Sequence, residues 1–118
     1  MSKLLLFIGE NVRFDEAAAV AAIESIAGVR NARRGKFIGA IFECEYGENG
    51  ESTIVRISED RETITVEGVD DLSLGFALKL KSALNCPLSV VDLDYSFHID
   101  LAEVRSLKEF RDRIAAAS

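Results

Sequence analysis

Long hydrophobic runs are missing from the start of this 118-residue sequence. The apolar run at residues 4–8 ends at Gly9. A secretory signal needs about 7–15 apolar residues and a membrane-spanning helix about 20, so this run is too short for either. We therefore expect a cytoplasmic protein that does not bind membranes. The length of 118 residues predicts a single domain over residues 1–118.

Cysteine and catalytic motifs are scarce as well. Cys44 and Cys86 lie too far apart in sequence for a CxxC-type site, and a structural disulfide is not expected in a cytoplasmic chain of this size. We predict two buried, reduced thiols. The sequence has no EF-hand or HExxH spacing, no GxSxG motif and no glycine-rich phosphate loop. It therefore predicts no cofactor, no metal ion and no catalytic residue.

Positive charge is in short supply. Lysine and arginine number 14 against 20 aspartates and glutamates, which gives a net charge of −6. Residues 37–71 hold ten acidic and two basic side chains, so the middle of the chain is its acidic part. Because nucleic-acid affinity comes largely from neutralising phosphates with Lys and Arg, binding to nucleic acid is not expected.

Residues 30–36 form the only basic cluster of the sequence. A phosphate cradle normally has more glycines in a strand-to-helix turn, whereas this segment leads into a strand. We interpret the cluster as a solvated loop or the start of a strand. Ligand or nucleic-acid binding by this segment remains the alternative.

Periodicity predicts the elements of the first half. Residues 4–8 form a continuous apolar run, typical of a strand buried on both faces near the middle of a sheet. Asp15 and Glu16 begin an alanine-rich helix that Gly28 ends. Three strands of an antiparallel meander follow, with a hairpin signal at Asn49-Gly50 between the first two. Their predicted ranges are 37–46, 52–58 and 63–67, and Ile38 faces the inner side of the first.

A second helix follows, capped by Asp70 or Asp71 and ended before Pro87, with Asn85 at its exit. A capping-box spacing at residues 106–109 predicts a short C-terminal helix. Together the elements predict an α+β fold. It is a two-layer sandwich with a mainly antiparallel sheet of five or six strands, two helices on one face and the short C-terminal helix.

Residues 91–101 show the most regular alternation in the chain. Odd positions are apolar or aromatic and even positions are polar, so a strand would turn its apolar side chains, Phe97 among them, toward the helices. A straight strand from Leu88 would exceed about 40 Å, so we expect a bend or bulge near residues 92–94. The polar side chains on the outward face are Asp92, Asp94, Ser96, His98 and Asp100.

Several functions are compatible with this acidic face, which Glu43 and Glu45 of the meander can join. It can be a solvated face that keeps the protein soluble, or a docking surface for a basic protein partner whose cations remove the repulsion between carboxylates. It can hold a metal ion, although neighbours on one strand face lie about 6.6–7 Å apart, too far for all to reach one ion. The further alternatives are an enzyme or small-molecule-binding protein with a pocket around His98, and an open sheet that pairs with a second copy.

The chain resembles the small, acidic, cytoplasmic α/β proteins that bacteria use as immunity proteins against polymorphic or contact-dependent toxins. The acidic meander at 37–71 and the helix-then-strand run at 72–101 carry the resemblance. It implies a non-enzymatic protein that binds a cognate, often basic, toxin domain and blocks its active site. We accordingly predict a cytoplasmic binding protein that docks a basic protein partner through Glu43, Glu45, Asp92, Asp94, His98 and Asp100.

Overall fold

The structure, a computed structural model, describes residues 3–37, 39–84 and 86–117, with the backbone alone at 36 and 37. The predictions for Ile38 and Asn85 lie outside the described residues. In chain order the elements are β1 (Lys3–Phe7), α1 (Glu16–Glu24), β2 (Val29–Phe37), β3 (Ala40–Glu48), β4 (Glu51–Ser58), β5 (Ile64–Glu67), α2 (Asp71–Ala83), β6 (Ser89–Asp92), β7 (His98–Asp100), a 3₁₀ turn (Leu101–Glu103) and α3 (Leu107–Ala117).

The strands form one sheet in the order β2-β3-β4-β5-β1-β6-β7, and every neighbouring pair is antiparallel. The α+β prediction is confirmed. The sheet of the described residues has seven strands rather than five or six, and α3, with 11 residues, is longer than α1, with 9. The additional strands come from the basic cluster and from the alternating run at 91–101.

The basic cluster lies within β2, so the strand interpretation holds and the loop interpretation is wrong. Apolar alternation is missing because β2 is an edge strand whose described side chains from residue 30 onward are exposed. Its arginines instead lie opposite glutamates of β3: Arg30 opposite Glu45 and Arg33 opposite Glu43. Two register shifts interrupt this ladder. Irregular register and cationic side chains both discourage another chain from pairing with the edge.

The alternating run is two strands, β6 and β7, which pair with each other through Val90 and Ile99. The predicted bend lies in the right place, but it is a complete reversal of the chain. Because the turn interrupts the alternation, Leu93 and Tyr95 point into solvent and Asp92 is buried, contrary to the prediction. The prediction that Phe97, Ile99 and Leu101 are buried is confirmed, with Phe97 6% exposed.

The helices pack on one face of the sheet, the inner face. One row of inner-face side chains crosses six strands and forms the centre of the core: Phe42, Ile57, Ile64, Leu6, Val90 and Ile99. Ile23 of α1, Phe76 of α2 and Phe110 of α3 belong to the same buried cluster. Burying an apolar side chain of this size stabilises the fold by about 1.5–3 kcal/mol. The row therefore contributes much of the stability that holds the helices against the sheet.

The central position predicted for β1 is confirmed, since it lies between β5 and β6. Its burial differs from the prediction: Leu4 and Leu6 are fully buried on the inner face, whereas Lys3, Leu5 and Phe7 are half-buried on the opposite, outer face. None of the described helices covers the outer face. The structure is therefore a sheet with one packed face and one open face.

Local signals fix the starts of the helices and the β3–β4 turn as predicted, whereas α1 ends at Glu24 and not at Gly28. The carboxylates of Asp15 and Asp70 each accept a hydrogen bond from the backbone amide three residues later, at 3.0 and 3.1 Å, and so cap α1 and α2. The Ser106 hydroxyl accepts one from the Glu109 amide at 3.1 Å and caps α3. Asn49 and Gly50 have φ angles of 53° and 83°, which is the geometry of the tight hairpin turn between β3 and β4.

Candidate functional site

The six residues predicted to bind a partner do not form one patch. The strand registers define a row of outer-face side chains that crosses all seven strands: Arg33, Glu43, Arg56, Thr65, Leu5, Val91 and His98. Glu43 and His98 are separated by five strand spacings, or about 24 Å. Glu45 lies near Glu43 on β3, and Asp100 lies near His98 on β7. The predicted site is therefore divided between distant parts of the sheet.

Glu43 is already neutralised within the outer face. Its carboxylate accepts hydrogen bonds from Arg33 and, at 2.7 Å, from Arg56, which also donates to Glu67 at 2.8 Å. The bonds from Arg33 first and Arg56 second hold the pKa of Glu43 below its usual value, although burial raises it slightly. Lys3 extends the network to Glu67 at 3.5 Å.

Glu45 is paired in the same way. It lies 3.5 Å from the Arg30 guanidinium and accepts a 2.9 Å hydrogen bond from the Asn31 side chain. β2, which the sequence did not identify as their neighbour, thus supplies cations to both Glu43 and Glu45. Whether these residues bind a partner remains a prediction.

Asp92 has a structural contact rather than a solvent-facing position. Its side chain is on the inner side, and the residue is 7% exposed. The carboxylate accepts hydrogen bonds from the Ser96 amide at 2.7 Å and from the Ser96 hydroxyl. Burial raises the pKa of Asp92, but the hydrogen bonds from the Ser96 hydroxyl and from nearby backbone amides together lower it by more, so the net pKa lies below the usual aspartate value. Asp92 therefore holds the β6–β7 turn in place.

The other three predicted residues are exposed. Asp94 lies in the β6–β7 turn. The His98 ring packs against Phe7 with 5.6 Å between ring centroids. Asp100 accepts a 2.9 Å hydrogen bond from the Ala102 amide and thereby caps the 3₁₀ turn. His98 thus sits on an open edge strand, beside an aromatic side chain.

One end of the sheet gathers three connections of the chain. The register places the end of β5 beside the start of β1 through Lys3 and Glu67, and the end of β6 beside β1 through Leu4 and Asp92. Because neighbouring strands are antiparallel, the β3–β4 hairpin, the β5–α2 connection and the β6–β7 turn all project from this end. We call it the hairpin end; it comprises residues 48–51, 67–71 and 93–96.

Three of the four large apolar side chains that are exposed in the described part of the chain lie at the hairpin end. They are Val69, 39% exposed, Leu93, 45% exposed, and Tyr95, 74% exposed, whereas Val12, 42% exposed, follows the opposite end of β1. Strands β5 and β6 lie on either side of β1 and are therefore two strand spacings, or about 10 Å, apart. Exposed large apolar side chains gathered at one end of the sheet favour an interaction surface there.

Tyr95 is held in an unusual conformation. Its φ angle is 53°, in the left-handed region that bulky residues rarely adopt. Its amide donates a 3.1 Å hydrogen bond to the Asp92 carbonyl, and the next residue, Ser96, is bound by the Asp92 carboxylate. The turn therefore presents the aromatic ring to solvent from a fixed backbone. Unfavourable backbone geometry that the surroundings maintain is often a feature of functional sites.

Two open grooves meet at Asp70 of the hairpin end. One, of about 610 Å³, lies between the first residues of β4 and the β5–α2 connection. The other, of about 650 Å³, lies between the hairpin tip and the start of α2, and Leu72 and Leu107 contribute apolar surface to it. Five carboxylates and one cation, Lys79, line the two grooves; the acids are Glu48, Glu51, Glu67, Asp70 and Asp71.

Lys79 is itself engaged. Its ammonium donates a 2.6 Å hydrogen bond to the Tyr46 hydroxyl and lies 3.4 Å from Glu48. The hydrogen bond to Tyr46 is the main reason that the pKa of Lys79 is raised, and the hydrogen bond from Tyr46 is the main reason that the pKa of Glu48 is lowered. Two further carboxylates are paired by cations outside the grooves: Glu67 by Arg56 at 2.8 Å and Asp71 by Arg111 at 3.0 Å. Within the described residues, Glu51 and Asp70 form no ion pair.

The cysteines and His98 show few features of a catalytic centre. Burial raises the pKa of the Cys44 thiol to about 12, and burial also raises the pKa of Cys86. Cys44 is buried as predicted, whereas Cys86 is half-buried. A third groove, of about 330 Å³, is lined by Cys86 and Pro87, and His98 lines none of the three. The described residues contain no group of three His, Cys, Asp or Glu side chains that could hold a metal ion.

Sequence reasoning missed Tyr95, Leu93 and Val69 as exposed residues. The alternation of 91–101 continues through the turn, so Leu93 and Tyr95 look like core positions. The signal that favours a turn is the run Asp92-Leu93-Asp94-Tyr95-Ser96, because Asp and Ser side chains form hydrogen bonds to nearby backbone in turns. The acidic range 37–71 contains Glu51, which forms no ion pair within the described residues, but also Glu43 and Glu45, which do.

Comparisons with known proteins add no further constraint. Within the described ranges, the helices are too short or too polar to cross a membrane. No protein-family model, curated protein or solved structure matches the chain.

Proposed function

We propose that this protein is a non-enzymatic binding protein that captures a basic protein partner at its hairpin end. One observation carries the proposal: three exposed large apolar side chains coincide at one end of the sheet with Glu51 and Asp94, two exposed carboxylates that form no ion pair within the described residues. The proposal keeps the partner class predicted from the sequence. It moves the binding surface from the open sheet face to the hairpin end.

Tyr95 is the proposed anchor of the interface. Tyrosine is enriched among the residues that contribute most to binding energy, because it buries a large area and loses few rotamers. The backbone of the β6–β7 turn is already fixed by Asp92 and Ser96, so binding would not have to order it. Preorganisation of this kind increases affinity by lowering the entropic cost of association.

The carboxylates of the hairpin end favour a basic partner. Glu51 and Asp94 are exposed, and within the described residues neither forms an ion pair. Negative charge that is not locally neutralised attracts a cationic surface and accelerates encounter, an effect that salt screens over about 8–10 Å. Capture should therefore weaken as ionic strength rises.

Toxin neutralisation is the biological role that we propose for this binding. The resemblance of the chain to bacterial immunity proteins implies a partner whose active site is blocked by the bound protein. A surface that combines an aromatic anchor with a rim of carboxylates can do this sterically and electrostatically. It requires no catalytic group on this chain.

Affinity capture with matched variants tests the proposal. The wild-type chain, Tyr95→Ala and the control Val12→Ala are immobilised, and basic proteins captured from the source-cell lysate are quantified by mass spectrometry. Loss of a tyrosine anchor typically costs 2 kcal/mol or more, so Tyr95→Ala should reduce capture about 30-fold. Val12→Ala should capture as the wild type does, because Val12 lies away from the hairpin end.

The same experiment can refute the proposal. If Tyr95→Ala captures the same basic protein as well as the wild type and melts at the same temperature, the hairpin end is not the binding surface. If the wild-type chain enriches no basic protein over the immobilised matrix alone, the partner class is wrong.

A further inference from the structure

The first residues of β4 lack a strand neighbour on one side. On the β3 side, β4 is paired from Ser58 to Glu51 along its whole length. On the β5 side, pairing covers Val55, Arg56 and Ile57 and goes no further. On the β5 side, residues 51–54 therefore have no paired strand within the described residues, which leaves a gap in the sheet.

The gap exists because β5 ends early. Gly68 has a φ angle of 89°, which turns the chain away from the sheet toward α2. The carbonyl of Glu67, the last residue of β5, accepts hydrogen bonds from the hydroxyl of Thr53 and, at 2.8 Å, from the hydroxyl of Ser73. Two side-chain hydroxyls thus close the β4–β5 ladder at this point.

The groove of about 610 Å³ occupies this gap. Its walls are Ser52, Thr53 and Ile54 on the β4 side, and Gly68, Val69 and Asp70 on the other, with Glu67 at the point where the ladder ends. Four residues of an extended strand cover about 13 Å, so the exposed edge is long enough for a short segment. The groove is thus a strand-sized opening in the sheet, next to an exposed apolar side chain.

We infer that this groove receives an extended, basic segment of the protein partner, which adds to β4 as a short strand in line with β5. The inference rests on the proposed function and names how the partner is held. Backbone hydrogen bonds to a strand edge give affinity without sequence specificity, and the alternate side chains of the added strand give the specificity.

Charge determines the class of segment. Asp70 lines the groove, Glu51 begins the open edge of β4, and neither carboxylate forms an ion pair within the described residues. A segment with Lys or Arg at alternate positions and apolar residues between them would place cations near these carboxylates and small apolar side chains near Ile54 and Val69. An acidic segment would be repelled.

A peptide probe tests the inference on the full chain. The probe is a peptide of alternating Lys and Val, about four residues long to match the edge. Two comparison peptides are the same sequence with N-methylated backbone amides, which cannot pair with a strand, and an alternating Glu and Val peptide. Binding is measured by fluorescence polarisation, and hydrogen exchange of the amides at 51–54 is followed by NMR.

We expect saturable binding of the Lys-Val peptide together with slower exchange at 51–54. The N-methylated peptide and the Glu-Val peptide should bind at least about tenfold more weakly. Glu51→Lys should weaken binding of the Lys-Val peptide about tenfold, whereas Glu59→Lys, a reversal at the other end of β4, should leave it unchanged.

Two results would overturn the inference. Equal binding of the Lys-Val and N-methylated peptides, or unchanged exchange at 51–54, would mean that no strand is added. Protection of these amides that increases with protein concentration in the absence of peptide would mean that a second copy occupies the groove. Either result leaves capture through Tyr95 intact, so a failure here is distinguishable from a failure of the proposed function.

Discussion

The open sheet face and the hairpin end both carry carboxylates, but these carboxylates have different surroundings. On the sheet face, the Arg33 and Arg56 guanidinium groups both donate to Glu43, and Arg30 contacts Glu45. At the hairpin end, Glu51 forms no ion pair within the described residues. The net charge of the sequence does not reveal this difference. Whether a carboxylate is available to a partner depends on which strand lies beside it.

The contrast follows from the position of β2. An edge strand with arginines facing the neighbouring glutamates neutralises that part of the sheet, and each exposed pair contributes about 0–1 kcal/mol. At the hairpin end, Lys79 pairs with Glu48 and Arg111 pairs with Asp71. Glu51 and Asp94 form no ion pair within the described residues, and we propose that these two carboxylates are the ones available to a partner.

The largest expected difference in stability is between variants of Phe97, whose side chain is buried, and of Tyr95, whose side chain is exposed. Phe97→Ala should lower the free energy of unfolding by about 3–5 kcal/mol, because it leaves a cavity in the core. Tyr95→Ala, two residues earlier, should change it by less than about 0.5 kcal/mol. Urea unfolding measures both, and equal losses would contradict the assignment of Tyr95 to the surface.

Asp92 has a structural role in the β6–β7 turn, which can be measured separately from binding. Asp92→Ala removes the acceptor for Ser96 and should destabilise the fold by about 1–3 kcal/mol. A reversal at Asp92 would therefore disturb the turn as well as the charge, so it does not test binding alone. Urea unfolding near neutral pH measures the loss, and a change below about 0.5 kcal/mol would contradict the structural role.

The pH dependence of this loss is a further prediction. The pKa of Asp92 is lower in the folded chain than in the unfolded one, so its contribution to stability is present above the unfolded pKa of about 3.9. The contribution is lost as the pH falls through the folded pKa. The difference in urea midpoint between the wild type and Asp92→Asn should therefore shrink below about pH 4. A difference that stays constant from neutral pH into this acidic range would count against it.

Glu43 and Asp94 give a smaller contrast between a paired and an unpaired carboxylate. Glu43→Gln weakens bonds from two arginines and should cost about 1–2 kcal/mol of stability. Asp94→Asn should change stability by less than about 0.5 kcal/mol, since Asp94 is exposed in the turn. Thermal unfolding of the two variants side by side measures the difference. Equal effects would mean that the network on the sheet face contributes nothing.

Much of the fold could be predicted from the sequence because its signals are local. Caps at Asp15, Asp70 and Ser106 and the Asn49-Gly50 turn depend on residues within a few positions of one another, and all are confirmed. Burial of Phe97 could be predicted because alternation resumes after the turn. Strand order could not, since it depends on contacts between residues far apart in sequence.

The candidate site could be predicted only in part, for the same reason. Pairing of Glu43 with Arg33 depends on β2 lying beside β3, and a basic cluster without apolar alternation gives no sign of a strand. The reversal at Tyr95 depends on one side chain, Asp92, bonding to Ser96 against the alternating pattern. The acidic character of 37–71 was visible in composition, but the ion pairs that neutralise part of it were not.

The most direct test of the account compares two charge reversals, one in each region. The dissociation constant of the basic protein captured by the wild type is measured by isothermal titration calorimetry for Glu51→Lys and for Glu45→Lys. The account predicts that Glu51→Lys weakens binding about tenfold or more, while Glu45→Lys changes it by less than about threefold. A larger loss for Glu45→Lys than for Glu51→Lys would return the binding surface to the open sheet face and contradict the account.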